Sequence, residues 1–202
     1  DGDGRADLIV GNLGSFTALD HNLGSVEWFR QRNDKAFERF TLAEGLGRIA
    51  DVQPTDFDED GDLDVIVAEF GWHATGHLLI LENRTLAGGV LDIVKHEIDG
   101  LHGASHVDVA DLDGDGVREI VVLYSQGHEM VRCYARQDGI AFAIHDLYRA
   151  PSPAWGFSGS QLIDMDGDGD LDILLSNGDT FDNTILKPYH SVQWLQVYCL
   201  QK

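Results

Sequence analysis

Residues 164–172 read Asp164-Met165-Asp166-Gly167-Asp168-Gly169-Asp170-Leu171-Asp172. Carboxylates fall at positions 1, 3, 5, 7 and 9 of this stretch, and glycines at 4 and 6. Oxygen ligands at this density suit a hard cation, and Ca²⁺ takes six to eight oxygens at about 2.3–2.6 Å. Without a cation, so many like charges repel one another. The glycines permit the dihedrals that wrap a chain around one point.

The pattern recurs. Asp56-Phe57-Asp58-Glu59-Asp60-Gly61-Asp62-Leu63-Asp64 is nearly identical, and Asp111-Leu112-Asp113-Gly114-Asp115-Gly116-Val117-Arg118-Glu119 keeps positions 1, 3 and 5 with Glu at 9. Asp1-Gly2-Asp3-Gly4-Arg5-Ala6-Asp7 supplies positions 3 to 9. Position 9 therefore falls at 7, 64, 119 and 172, in steps of 57, 55 and 53 residues. A near-constant period of this length signals a repeat architecture.

An EF-hand loop needs Glu at position 12 and a helix on each side. Position 12 here is Val67, Val122 and Leu175, inside the apolar runs Val65-Ile66-Val67, Ile120-Val121-Val122 and Ile173-Leu174-Leu175. Such runs read as strands, so each loop turns between two strands. The expected ligands are side chains at positions 1, 3, 5 and 9 plus the carbonyl at 7. These are Asp56, Asp58, Asp60, Asp64 and the Asp62 carbonyl; Asp111, Asp113, Asp115, Glu119 and the Val117 carbonyl; and Asp164, Asp166, Asp168, Asp172 and the Asp170 carbonyl. The side chains of Asp62 and Asp170 would then point outward. The first loop offers Asp1, Asp3 and Asp7, lacks its first ligand, and is expected to bind poorly.

Four copies of D-x-D-G-D-G-x-x-D, each followed by an apolar strand, resemble the FG-GAP/VCBS repeat family, whose loops also occur in the propeller of integrin α subunits. The resemblance covers essentially the whole chain. It implies an all-β fold, a β-propeller of four-stranded antiparallel blades with one Ca²⁺ per blade loop, outside the cytoplasm. The partner is not carried by the motif.

The strands expected from the pattern are 6–11, 26–30 and 37–42; 49–53, 63–70, 77–83 and 93–98; 107–110, 119–124, 129–135 and 141–148; then 160–163, 171–176 and 192–200. Four short strands per period is the content of a propeller blade. Blade repeats run at approximately 1–50, 51–105, 106–158 and 159–202, as a single propeller segment. Incomplete first and last blades suggest a piece of a larger propeller of seven or eight blades, because open blade edges invite aggregation. The alternative is a self-contained four-bladed ring.

With 14 basic and 35 acidic residues the formal charge is −21. The twelve side-chain ligands of the complete loops account for more than half of it. No basic stripe exists, which argues against nucleic acid and anionic membrane as partners. No apolar run approaches the ~20 residues of a membrane-spanning helix. Cys133 and Cys199 show no metal or redox spacing and read as buried thiols or a disulfide. Loops of modest affinity fill where Ca²⁺ is plentiful, which places the chain as secreted, cell-surface or periplasmic.

Several histidines recur in register: His77, His128 and His190 precede third strands, and His96 and His145 match in fourth strands. They read as a repeated hydrogen-bonding residue rather than as one transition-metal site. His73-x-x-x-His77 and His102-x-x-x-His106 share a face only on a helix, which is not expected here. Asp51, Gln53, His106, Asp108 and Gln161 lie on strands entering the acidic loops, which line the channel of a propeller. Trp28 and Trp194 occupy third strands and read as blade packing. Trp72 and Trp155 lie in Gly-rich loops, either as platforms for a sugar or protein or as caps on the core. Asn83-Arg84-Thr85 is a glycosylation sequon. Gly156-Phe157-Ser158-Gly159-Ser160 resembles a nucleophile elbow without its strand–turn–helix setting. No glycosidase carboxylate pair separates from the ligand set.

The expected function is a calcium-binding scaffold for recognition or adhesion, not an enzyme, with a protein or glycan ligand and further blades outside this segment as partners. The alternative is an accessory or catalytic propeller of a polysaccharide-degrading, lyase-like enzyme.

Overall fold

The computed structural model describes residues 1–85, 89–151, 157–177 and 192–196. Among these residues there are fourteen strands and no helix. They are β1 (Leu8–Asn12), β2 (Gly24–Gln31), β3 (Phe37–Leu46), β4 (Ile49–Thr55), β5 (Asp64–Glu69), β6 (His77–Asn83), β7 (Ile93–Asp99), β8 (Ala104–Ala110), β9 (Glu119–Tyr124), β10 (Met130–Asp138), β11 (Ala141–Arg149), β12 (Phe157–Ile163), β13 (Asp172–Asn177) and β14 (Val192–Leu195). They form four sheets in sequence order: β1-β2-β3, β4-β5-β6-β7, β8-β9-β10-β11 and β12-β13-β14. Each is an antiparallel meander of the propeller-blade kind.

The chain divides into two compact units, Asp1–Ala104 and Ser105–Lys202. In the first, Val26, Leu46, Ile49, Val65, Val67, Leu79 and Leu81 form a buried cluster. In the second, Leu112, Val121, Leu123, Val131, Cys133, Phe157, Ile173 and Leu175 form another. Strands β5 and β9 are buried at every residue. Both their faces are covered, which is why the sequence there is continuously apolar rather than alternating. Strand β1 alternates exposed and half-buried residues, as expected with one face in water.

Several strand bounds move, β3 running on to Leu46, β8 beginning at Ala104 and β10 ending at Asp138, and two further readings change. Strand β12 starts at Phe157, not at 160, because Phe157 pairs with Asn177 across a register irregularity. Ser158 thus sits within a strand, not on an elbow. Trp194 is not blade packing: it is 47% exposed on β14, which among the described residues pairs only with β13. Trp28 does pack, stacking on Phe40 with centroids 4.9 Å apart. Cys133 is a free, buried thiol pushed up to about 12, chiefly by burial, and is therefore inert. Cys199, Trp155 and His190 lie outside the described residues. No described helix is long and apolar enough to cross a membrane.

Each complete acidic loop joins the first strand of a blade to its second. The opposite end of the first unit carries the β1–β2 connection (13–23), the β5–β6 connection (70–76) and the stretch 100–103 after β7.

Candidate metal centres

The three complete loops fold alike because their local hydrogen bonds repeat. Carboxylates at odd positions accept the N–H two residues on: Asp62 N to Asp60 Oδ1 at 3.0 Å, Val117 N to Asp115 Oδ1 at 2.8 Å, and Asp170 N to Asp168 Oδ1 at 3.0 Å. These are Asx-turns, in which a short side chain stands in for a backbone turn. Position 1 caps the loop in two copies. Asp111 accepts the N–H groups of Gly114 and Gly116, and Asp164 those of Gly167 and Gly169.

Position 9 does a second job. Asp64 accepts Phe57 N at 3.0 Å, Glu119 accepts Leu112 N at 2.8 Å, and Asp172 accepts Met165 N at 3.1 Å. Asp64 also accepts Asn83 N at 2.8 Å, as Asp7 accepts Gln31 N at 2.8 Å. The buried acid thereby closes the loop on itself and ties it to the end of the third strand. Burial, opposed by these N–H bonds and reinforced by the neighbouring aspartates, raises the carboxyls of Asp64 and Glu119 above the usual range.

Three carboxylate triplets converge. One oxygen from each of Asp56, Asp58 and Asp64 lies within 4.8 Å of the others, as do those of Asp111, Asp113 and Asp115, and of Asp164, Asp166 and Asp172. Asp60, Asp168 and Glu119, also expected as ligands, stand outside these triplets, held by the hydrogen bonds just described. Position 7 behaves differently in two copies. Asp170 is exposed, but Asp62 is half-buried and does not point outward. Its carboxyl is pushed up to about 6, first by burial and then by Asp60, Asp64, Asp58 and Asp56.

The donor set fits a hard cation on a structural ground. Asp56 Oδ1 and Asp62 Oδ1 are buried and have no hydrogen-bond partner. Desolvated carboxylate oxygens without donors are costly unless a positive charge faces them. In the first loop Arg5 instead pairs with Asp3, and Trp28 Nε1 donates to Asp7 at 3.0 Å. Burial pushes Asp7 up, but the Gln31 N–H and the indole hold it below the ordinary carboxylate range.

The other candidate residues are dispersed. His77 Nδ1 meets buried Glu69 at 2.6 Å, and His96 Nε2 meets Glu82 at 2.5 Å, each a hydrogen-bonded pair within one blade. Ser160 donates to Asp108 at 2.7 Å, and His106 lies 3.4 Å from the same carboxylate. Asp51, Gln53 and Gln161 are on the first strands β4 and β12. Trp72 is half-buried in the β5–β6 connection, its ring tilted 54° against His73 with centroids 4.7 Å apart. Gly71, at φ 59°, closes that turn where a Cβ would run into the Thr75 carbonyl. A cavity of about 510 Å³ beside the first loop is lined by Arg5, Arg30, Arg32, Asp34 and Glu38 among others. Its arginines already face Asp3, Glu38 and Asp34, so it carries no net call for an anion. Asp20 escaped notice in the sequence. Its carboxylate holds the 70–76 connection through three hydrogen bonds, a contact spanning more than fifty residues with no local signature.

The FG-GAP-like repeat matches the chain three times, over residues 1–67, 56–122 and 111–175. Each match runs from one acidic loop through the next and into the strand after it. No curated protein matches the chain.

Proposed function

The chain belongs to the FG-GAP-like repeat family, and on that premise we propose that it is a calcium-stabilised β-propeller scaffold for recognising a protein or glycan outside the cytoplasm. The observation that carries this reading is the convergence of three carboxylate triplets at equivalent places in successive repeats. When bound, the cation supplies the positive charge that lets those carboxylates share one loop. The chain's own part is to aim oxygens inward through Asx-turns and to anchor the buried position-9 acid. Affinities typical of extracellular modules, about 10⁻⁴–10⁻³ M, suit a compartment rich in Ca²⁺.

Recognition is proposed at the end opposite the acidic loops, where Trp72 offers part of an aromatic face on a connection. Aromatic rings on loops anchor ligands because they bury much area at small entropic cost. A scaffold role is preferred to an enzymatic one, including a lyase, because the clustered carboxylates are committed to the loops and Arg5, Arg30, Arg39, Arg84 and Arg132 are paired with carboxylates. The test has two parts. Calorimetric titration of chelator-treated protein with CaCl₂ is expected to show three sites, and one lost in Asp113→Ala. A glycan and protein array in CaCl₂ is expected to give a signal that Trp72→Ala weakens. Absence of calcium binding, or array binding indifferent to Trp72, overturns the corresponding part.

A further inference from the structure

In the first unit, the connections opposite the acidic loops are fastened to one another. The chain closes on itself at the base of the 13–23 connection, where a Cβ on Gly14 would run into the backbone of Leu23 and Gly24. Gly24 in turn lies against the Gly47 carbonyl, in the short turn between β3 and β4. Asp20 clamps the same connection to 70–76: its Oδ1 accepts Ala74 N, Thr75 N and Thr75 Oγ1, each at 2.9 Å. Arg48 completes the junction, because its carbonyl accepts Phe70 N at 2.7 Å and Gly71 N at 3.2 Å. Three connections are thus held as one surface, with Trp72 next to Gly71.

That surface leaves two kinds of group without partners. The first is apolar. Phe16 is 98% exposed and Leu23 is 62% exposed, and Leu19 is exposed on the same connection. Single exposed hydrophobics are ordinary, but three on one connection beside a half-buried tryptophan have the composition of a contact patch. The second is a cation. Arg30, Arg39, Arg84 and Arg132 each face a carboxylate, but Arg48 faces none among the described residues. Its guanidinium lies 5.2 Å from the Phe70 ring centroid, and its Nε is buried without a partner. Nε alone of its three nitrogens is enclosed in this way, so Nη1 and Nη2 reach the surface unpaired. The carboxylates on the adjoining segments are engaged elsewhere. Glu69 accepts Gly47 N and pairs with His77 Nδ1, and Asp20 holds residues 74 and 75. An arginine steadied on a ring presents a fork of N–H donors that matches a carboxylate.

We propose that this face docks a protein segment in which one carboxylate is flanked by apolar side chains, the carboxylate meeting Arg48 and the apolar side chains meeting Phe16, Leu19 and Leu23. This rests on the reading of that end as the recognition face and narrows the ligand to protein. Exposed apolar side chains have nothing to offer the hydroxyls of a sugar, whereas a central arginine among apolar and aromatic residues is the composition of a protein hot spot. One unpaired cation matches one carboxylate, and a net charge of −21 repels a partner carrying a run of acids. The bonds that fasten the three connections leave little ordering to be done on binding.

The test is selection of short random peptides displayed on phage against the full chain in saturating CaCl₂, followed by calorimetry with synthetic copies of the enriched sequences. These are expected to carry one Asp or Glu among apolar residues. Arg48→Gln should weaken their binding by on the order of tenfold or more, as loss of a hot-spot residue does. Phe16→Ser should weaken it too while leaving Tm unchanged, since a side chain this exposed adds nothing to the fold; the loss then cannot come from unfolding. Lys35→Gln, on the β2–β3 connection, removes a positive charge elsewhere and should leave binding unchanged. No enriched peptide, enriched peptides without an acid, or binding indifferent to both Arg48→Gln and Phe16→Ser overturns the inference. A glycan signal sensitive to Trp72→Ala, with no peptide enriched, overturns it while leaving the recognition reading standing; no signal from either overturns both.

Discussion

Position 4 of the acidic loop adopts a left-handed backbone in every copy: Gly2 at φ 71°, Glu59 at 66°, Gly114 at 73° and Gly167 at 79°. Only the second loop places a side chain there. A left-handed conformation costs an L-residue about 1–2 kcal/mol, whereas glycine adopts it freely. Around Gly167 an added Cβ meets nothing within 4 Å, so Gly167→Ala isolates the backbone cost. It should destabilise the protein by about 1 kcal/mol in urea unfolding at fixed calcium. Glu59→Gly should move the midpoint the other way by a similar or smaller amount, because glycine also gains freedom in the unfolded chain. The same sign for both substitutions would contradict the assignment.

Within a blade, buried polar groups pin neighbouring strands. Glu27 on β2 is buried and takes Arg39 Nη2 at 2.9 Å and Thr41 Oγ1 at 2.9 Å from β3, and Ser25 Oγ at 2.8 Å from its own strand. The Arg39 guanidinium first, with the two hydroxyls, outweighs burial and holds its carboxyl below the ordinary range. A carboxylate depressed by folding stabilises above its unfolded pKa, about 4.3 for Glu. That contribution is lost as the pH falls through the lower folded value. Glu27→Gln should therefore flatten the acid limb of the stability curve relative to the unaltered protein. Glu27→Ala, which strands the hydroxyls, should cost about 2 kcal/mol at neutral pH. Arg39 is largely exposed, so its charge is not left in the core and the cost stays below that of breaking a fully buried pair. Acid melting curves of the two variants check both outcomes.

For the molecule as a whole, the acidic loops should make stability depend on calcium. A ligand that binds only the folded chain adds RT ln(1 + [L]/Kd), or about 2.7 kcal/mol at a hundredfold excess over Kd. Thermal melting with calcium, with chelator, and with Asp166→Ala in calcium tests this. Chelator should lower Tm, and Asp166→Ala should remove one loop's share and leave the other two. Asp166 is the apt choice because it belongs to a triplet and its backbone role is confined to the Asp168 N–H. Neighbouring sites need not add simply. A Tm unmoved by chelator would mean that the apolar clusters alone hold the blades.

The sequence by itself determined the strands, their number per repeat and the acidic turn between the first two. These depend on local spacing: period-two ladders, continuous apolar runs where both faces are covered, and Asx-turns two residues long. Tertiary structure alone decided which carboxylates converge and which serve as staples, because Asp64 finds its second partner at Asn83 on another strand. It also turned Asp62 inward and left Trp194 exposed, outcomes set by surroundings rather than by residue type. The meeting of Arg48 with the 13–23 and 70–76 connections belongs to the same class. Those segments join different strands, their mutual placement follows from packed blades, and no spacing along the chain encodes it.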